Sequence, residues 1–159
     1  MDAWAAMVAA QQDGLVRQIG VSNFEIEHLD RIENATGVRP WANQIKCDPE
    51  HARVELRDEL AARGISVQAW SPLGRTGELL ELPEIVRIAE RRGWAPAQVV
   101  LAWQATVGNV PIVRSGNPDR QRANLEATRQ RLGADELDAL ARIPQLDLGW
   151  RDSRTYDER

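Results

Sequence analysis

An α/β fold built on parallel strands is what this 159-residue sequence predicts, and three observations predict it. Short runs rich in apolar or β-branched residues recur four times, at residues 16–21, 41–45, 66–70 and 110–113. Each run leads into at least one stretch whose apolar residues fall at helical spacing. Glycine and proline then punctuate the boundaries between the two kinds of segment. Strands separated by helices at this spacing pair in parallel through right-handed crossovers. No low-complexity linker divides the chain, and 159 residues that are 43% apolar suit one domain with a substantial core.

Taken in order, residues 2–12 place Trp4, Met7, Val8 and Gln11 at helical spacing, and Gly14 supplies the stop. The run 16–21 follows as the first strand, and Ser22-Asn23 offers a cap for a helix through Glu25, Leu29 and Ile32. The second run precedes a helix near 53–63. The third follows Gly64 and leads into Ser71-Pro72-Leu73-Gly74-Arg75, a turn-rich loop. Two helices come next, near 82–92 and 97–107, with Gly93 and Pro96 between them as stop and start. The fourth run is followed by a helix that Pro118 opens and that carries Arg120, Arg122 and Asn124; a last helix spans about 135–143. Residues 144–159, with Trp150 and Tyr156, read as a polar tail, either a loop closing over the molecule or a disordered end.

Composition excludes several classes of function. A formal net charge of −4 gives no electrostatic reason to bind nucleic acid or an anionic membrane surface. Cys47 is the sole cysteine, so no intramolecular disulfide forms, and no Cys/His spacing suggests a metal site. The amino-terminal residues lack a basic region and a long apolar stretch, which predicts a cytoplasmic protein without a signal peptide or membrane span. The chain also opens directly on a helix, with no strand before it.

In parallel α/β folds ligands sit at the carboxyl ends of the strands. Here those ends carry Ser22-Asn23, then Asn43-Gln44 with Lys46, then Trp70-Ser71-Pro72-Leu73, then Arg114-Ser115. Ser22, Asn23 and Gln44 match the donors and acceptors that a carboxamide needs, and Trp70 offers a flat π surface for a nicotinamide ring. The turn 71–74, including Ser71 and Leu73, suits a pyrophosphate, because small turn residues let the backbone approach closely. Arg114 and Arg120 flank a turn into a helix N-terminus, where guanidinium groups and free N–H groups favour a 2′-phosphate.

Four runs carry a resemblance to the aldo-keto reductases, in particular to small bacterial members similar to diketogluconate reductases. Gly14-Leu15-Val16-Arg17-Gln18-Ile19-Gly20-Val21-Ser22-Asn23-Phe24 resembles that family's GKVRAIGVSNF, and Asn43-Gln44-Ile45-Lys46-Cys47-Asp48-Pro49 resembles its NQIECHP. Ala69-Trp70-Ser71-Pro72-Leu73-Gly74 is similar to AYSPLG, and the stretch from Arg114 to Asn124 is similar to KSVTPERIAEN. The runs span nearly the whole chain in order. The resemblance implies the C-terminal half of a (β/α)8 TIM barrel over residues 1–159, four parallel strands with flanking helices that correspond to strands five to eight.

It further implies an NADP(H) coenzyme and an oxidoreductase. Ser22, Asn23 and Gln44 would hold the carboxamide, Trp70 would stack on the nicotinamide, and Arg114, Ser115 and Arg120 would hold the 2′-phosphate. Asn124 would meet the adenine. Arg114 replaces the family's lysine with charge preserved, and Ala123 replaces an acid at the adenine end.

The family's proton-transfer tetrad of Asp, Tyr, Lys and His comes from the other half of the barrel. Tyr156 and Lys46 are the only residues of their types here, and neither matches the family motif, nor do His28 and His51. The chain is therefore expected to carry no catalytic residue and to be inactive alone. A carbonyl substrate enters only if the barrel is completed, by a second copy or by a separately encoded N-terminal half. Two alternatives stand beside this: a catalytically silent NADP-binding or interaction module, and a truncated remnant without function. Lys46 is expected to be a solvated charge, His28 and His51 to be solvated or structural, and Trp4, Trp41, Trp94 and Trp103 to pack in a core or an interface.

Overall fold

A computed structural model describes residues 2–149. Twelve elements follow one another over these residues: α1 (Asp2–Gln12), β1 (Gly20–Ser22), α2 (Ile26–Thr36), β2 (Ala42–Lys46), α3 (Val54–Ala62), β3 (Ser66–Trp70), α4 (Glu78–Glu81), α5 (Pro83–Arg92), α6 (Pro96–Thr106), β4 (Val110–Ile112), α7 (Pro118–Arg129) and α8 (Ala134–Ala141). The strands run in the order β1-β2-β3-β4. Every change of strand passes through a helix, as parallel pairing requires. By internal contacts the described chain divides into two units, residues 2–45, 53–67 and 148–149, and residues 46–52 and 68–147.

In the first unit β1 pairs in parallel with β2, with Gly20 opposite Ala42 and Ser22 opposite Gln44. Gly20 is required there, since a Cβ at that position would stand 2.9 Å from the Ala42 carbonyl oxygen. Trp4, Val8, Ile19 and Ile32 form a buried cluster with Val21, Phe24 and Val38 against it. The Trp4 indole N–H satisfies itself on Thr36 Oγ1 at 3.1 Å, so a large aromatic is buried at no polar cost. The first strand is shorter than the sequence predicts: residues 16–19 are not strand, although the Ile19 carbonyl accepts from the Trp41 amide. The cap of α2 is also displaced. Glu25 holds the N-cap position, and its amide donates to His28 Nδ1 at 3.1 Å, so Ser22-Asn23 is not the cap and His28 is structural. Trp41 is 46% exposed and so is not part of a core.

In the second unit the end of β3 pairs in parallel with β4, with Trp70 opposite Ile112. Helix α6 is apolar on nearly every face and buries six consecutive residues, Val99 to Gln104, against α4, α5, α7 and β4. Prolines at the first turns of α5, α6 and α7, and the left-handed Gly93 after α5, set these boundaries where the sequence places them. The short α4 lies between the predicted turn 71–75 and the predicted helix 82–92, where the sequence assigns no element. Trp103 is buried, and Trp94 lies 4.9 Å beneath the Arg92 guanidinium.

Within residues 144–147, Gln145 Oε1 accepts from the Ala52 amide at 2.7 Å and its Nε2 donates to the Pro49 carbonyl at 2.9 Å. The Leu146 amide donates to the Glu50 carbonyl at 2.8 Å, so this segment straps down the loop after β2. Trp150 and Tyr156 lie outside the described residues.

Candidate functional site

The predicted site residues fall into two groups, one in each unit. In the first, Ser22 and Gln44 are register partners across β1 and β2. The Ser22 hydroxyl donates to the Gln44 carbonyl at 3.0 Å, and the Asn23 amide donates to the same oxygen at 2.9 Å. Asn23 is left-handed, with φ of 56°, a conformation that asparagine tolerates better than most residues. What holds the turn is Asn43, which is fully buried. Its Nδ2 donates to the Phe24 carbonyl at 2.7 Å and its Oδ1 accepts from the Phe24 amide at 3.3 Å. Asn43 therefore fixes the backbone that presents Ser22 and Asn23, a role that its place beside Gln44 does not reveal.

In the second unit the ends of β3 and β4 lie side by side, which brings Trp70 to the same end of neighbouring parallel strands as Arg114. The turn after β3 is tight: the Gly74 amide donates to the Ser71 carbonyl at 3.1 Å, Ser71 is left-handed at φ 45°, and Leu73 is half-buried. The same Ser71 carbonyl accepts from Lys46 Nζ at 3.2 Å.

Lys46 corrects the expectation of a solvated charge. It is 6% exposed, its ammonium pairs with Asp48 Oδ2, and it lies 5.6 Å from the centre of the Trp70 ring. A lysine inside a protein is tolerated only with such partners, because burial of an unpaired ammonium costs several kcal/mol. Asp48 Oδ1 meets His51 Nδ1 at 2.9 Å and accepts from the Glu50 amide at 3.0 Å. Burial acts to raise the Asp48 carboxyl, but hydrogen bonds from His51 and Lys46 outweigh it and hold the group below the ordinary carboxylate range. Glu50 is pushed upward by its burial and then by the Asp48 charge. His51 is buried and structural. Beneath this turn, Gln104 donates to the Cys47 carbonyl at 2.7 Å, and Asn109 Nδ2 donates to Gln104 Oε1 at 2.8 Å.

At the β4 end, Arg114 and Arg120 are exposed and Ser115 is half-buried between them in sequence. Ser115 Oγ accepts from the Asn117 amide at 3.1 Å and from Arg120 Nε at 3.4 Å. The first turn of α7 is not open as expected. Asn117 Oδ1 accepts the amides of Asp119 and Arg120 at 2.9 and 3.0 Å, so the protein itself occupies those N–H groups. The cationic character of this corner therefore rests on the side chains. Asn124 and Ser115 line one cavity of about 640 Å3, together with Val113, Gln121 and Leu125. Among the described residues no cluster of His, Cys, Asp and Glu is suited to a metal ion.

Parallel strands linked by helices, with polar and cationic groups at the strand ends, define a class of α/β protein that binds ligands at that edge. The chain belongs to the Aldo/keto reductase family, whose sequence profile matches residues 1–144. It is 39% identical over 158 residues to 2,5-diketo-D-gluconic acid reductase B of Corynebacterium sp. (strain SHS752001), covering 99% of this chain and 57% of that protein. An aldo-keto reductase of Mycobacterium sp. (strain MCS) is 42% identical over 159 residues, covering 98% and 55%. Among solved structures, a mutant of Gox0644 in complex with NADPH superimposes with a TM-score of 0.87 at 37% identity, covering 97% of this chain and 57% of that one. The aldose reductase of Giardia lamblia gives 0.83 at 32% identity, covering 92% and 52%. The chain thus spans little more than half the length of the relatives it matches.

Proposed function

We propose that this chain is the coenzyme-binding half of an NADP(H)-dependent aldo-keto reductase and that it acts in the cytoplasm. The observation that carries the reading is the corner between β4 and α7. Arg114 and Arg120 are both exposed there, Arg114 next to Ser115 in sequence and Arg120 with its Nε on the Ser115 hydroxyl, a donor set suited to a phosphate monoester. The fit does not depend on the helix N-terminus, whose first amides are already engaged. The complex of a similar structure with NADPH supports the choice of coenzyme.

Under this reading Arg114, Ser115 and Arg120 hold the 2′-phosphate, Asn124 meets the adenine, and Ser71 and Leu73 line the pyrophosphate. Trp70 carries the nicotinamide ring, and Ser22, Asn23 and Gln44 hold its carboxamide. The coenzyme, when bound, supplies hydride. No residue of the chain is assigned to protonate a carbonyl, so the chain alone reduces none. A small carbonyl substrate enters when a second copy or a complementing N-terminal half completes the barrel.

Exposed apolar side chains on and beyond β4, Val110, Ile112 and Val113, favour such completion. Two other readings are a silent NADP-binding or interaction module and a remnant without function. Titration of NADPH fluorescence against the purified chain, with NADH as control, is the test. Saturable binding of NADPH that exceeds NADH at least about tenfold is expected from a charge-assisted phosphate contact. Equal affinity for the two would refute the assignment of the arginine corner, and carbonyl turnover above a coenzyme-only blank would refute the inactivity.

A further inference from the structure

We propose that Lys46, acting through Trp70, makes the coenzyme site prefer the reduced over the oxidised nicotinamide. The proposal rests on the reading of Trp70 as the nicotinamide platform and adds to it a residue that tunes the ring. Lys46 is the chain's only lysine, it is buried, and its ammonium lies over the indole at 5.6 Å. In the run NQIECHP that this segment resembles, an acid stands at the position of Lys46 and a histidine at that of Asp48. The charge next to the platform is therefore a departure from that run.

The argument turns on how completely Asp48 neutralises that ammonium. Asp48 Oδ2 pairs with Lys46, but Oδ1 is shared between His51 Nδ1 at 2.9 Å and the Glu50 amide at 3.0 Å. The carboxylate charge is thus spread over three donors, while the ammonium has one carboxylate and the Ser71 carbonyl at 3.2 Å. The ammonium is the member of the pair that lies over the Trp70 ring, so its field acts there most directly, and it is weakly screened because both members of the pair are buried. A cation held over an indole engages the negative face of its quadrupole. The indole then has less attraction to offer to a second cation. Oxidised nicotinamide carries a positive charge on its ring, whereas the reduced ring is neutral. The same ammonium therefore weakens NADP+ and leaves NADPH nearly unaffected. Lys46 is a positioning residue for the Ser71 turn and a tuning residue for the ring, not a catalytic one.

The test is calorimetric titration of NADPH and of NADP+ into the full chain, with the ratio of the two dissociation constants as the readout. The expected result is a ratio in favour of NADPH that falls about fivefold in Lys46→Met, through tighter NADP+ binding, and is retained in Lys46→Arg. If removal of the ammonium alone unfolds the chain by stranding Asp48, the double variant Lys46→Met, Asp48→Asn removes both charges and is expected to give the same fall. In a Trp70→Leu background the substitution at Lys46 is expected to leave the ratio unchanged. Equal weakening of both coenzymes in Lys46→Met, or an unaltered ratio, overturns this proposal and leaves the coenzyme reading intact. Failure of the unaltered chain to bind either coenzyme overturns both.

Discussion

At the end of β2 the positive charge of Lys46 is buried and held by a carboxylate, a carbonyl and an aromatic ring. At the end of β4, in the same unit, Arg114 is exposed and makes no ion pair among the described residues, and Arg120 reaches only the Ser115 hydroxyl. The first charge has lost its hydration and depends on fixed partners for its stability. The second keeps its water and its rotamer freedom, so it contributes little to folding and remains available to an anion from solution. Positive charge at the ends of β2 and β4 thus takes two forms: one organises the protein, and the other stays open to an anion from solution.

The contrast is sharpest when the organising charge loses its partner. Asp48→Ala leaves Lys46 and His51 inside without a carboxylate, and the expected cost is about 3–5 kcal/mol of folding stability, read as a lowered urea midpoint. A smaller effect comes from acid. The Asp48 carboxyl sits below its usual value in the folded chain, so its contribution is present above the unfolded value and is lost as the pH falls through the lower folded one. The stability difference between the unaltered chain and Asp48→Asn should therefore shrink below about pH 4, and a difference that is flat from neutrality to acid would break the argument. Glu50 works in the opposite sense, because its raised value favours the folded state in acid; the rise due to burial is common to both proteins, and the part due to the Asp48 charge is lost in Asp48→Asn and opposes the shrinkage. The smallest effect is expected at the recognising end. Arg114→Ala should leave the urea midpoint unchanged, since no described partner is stranded, and a marked destabilisation would place the guanidinium on the organising side after all.

Local signals made most of the fold legible. Gly93, Pro96 and Pro118 end or begin helices through backbone restrictions that act within a residue or two, and the structure uses them at those positions. The first strand was less legible because the close approach of a partner backbone, not the apolar character of Val16, decides where pairing starts: the contact of Gly20 with Ala42 sets the register. Strand ends pointed to the residues with ligand-like chemistry, since that rule depends on topology alone.

Other parts needed three dimensions. Lys46 reads as a solvated charge because one of its acceptors, Ser71, is 25 residues away. One local sign was present all the same, since Lys46 and Asp48 alternate around Cys47 and so fall on the same side of an extended segment. The engaged amides of α7 were legible too, because asparagine before proline at a helix start is a strong cap, and a capped end offers less to an anion. The role of Asn43 had no such sign, as its two partners are the backbone groups of Phe24, 19 residues earlier.

The strap formed by Gln145 has a consequence for the order in which the protein is made. Its amide satisfies backbone groups 93 and 96 residues earlier in the chain, at Ala52 and Pro49. Chains emerge from the ribosome amino end first, at about 5–20 residues per second. The segment that carries Asp48 and His51 is thus synthesised ahead of the side chain that closes it and waits several seconds for it. Until then the polar backbone of that loop must find its hydrogen bonds in water.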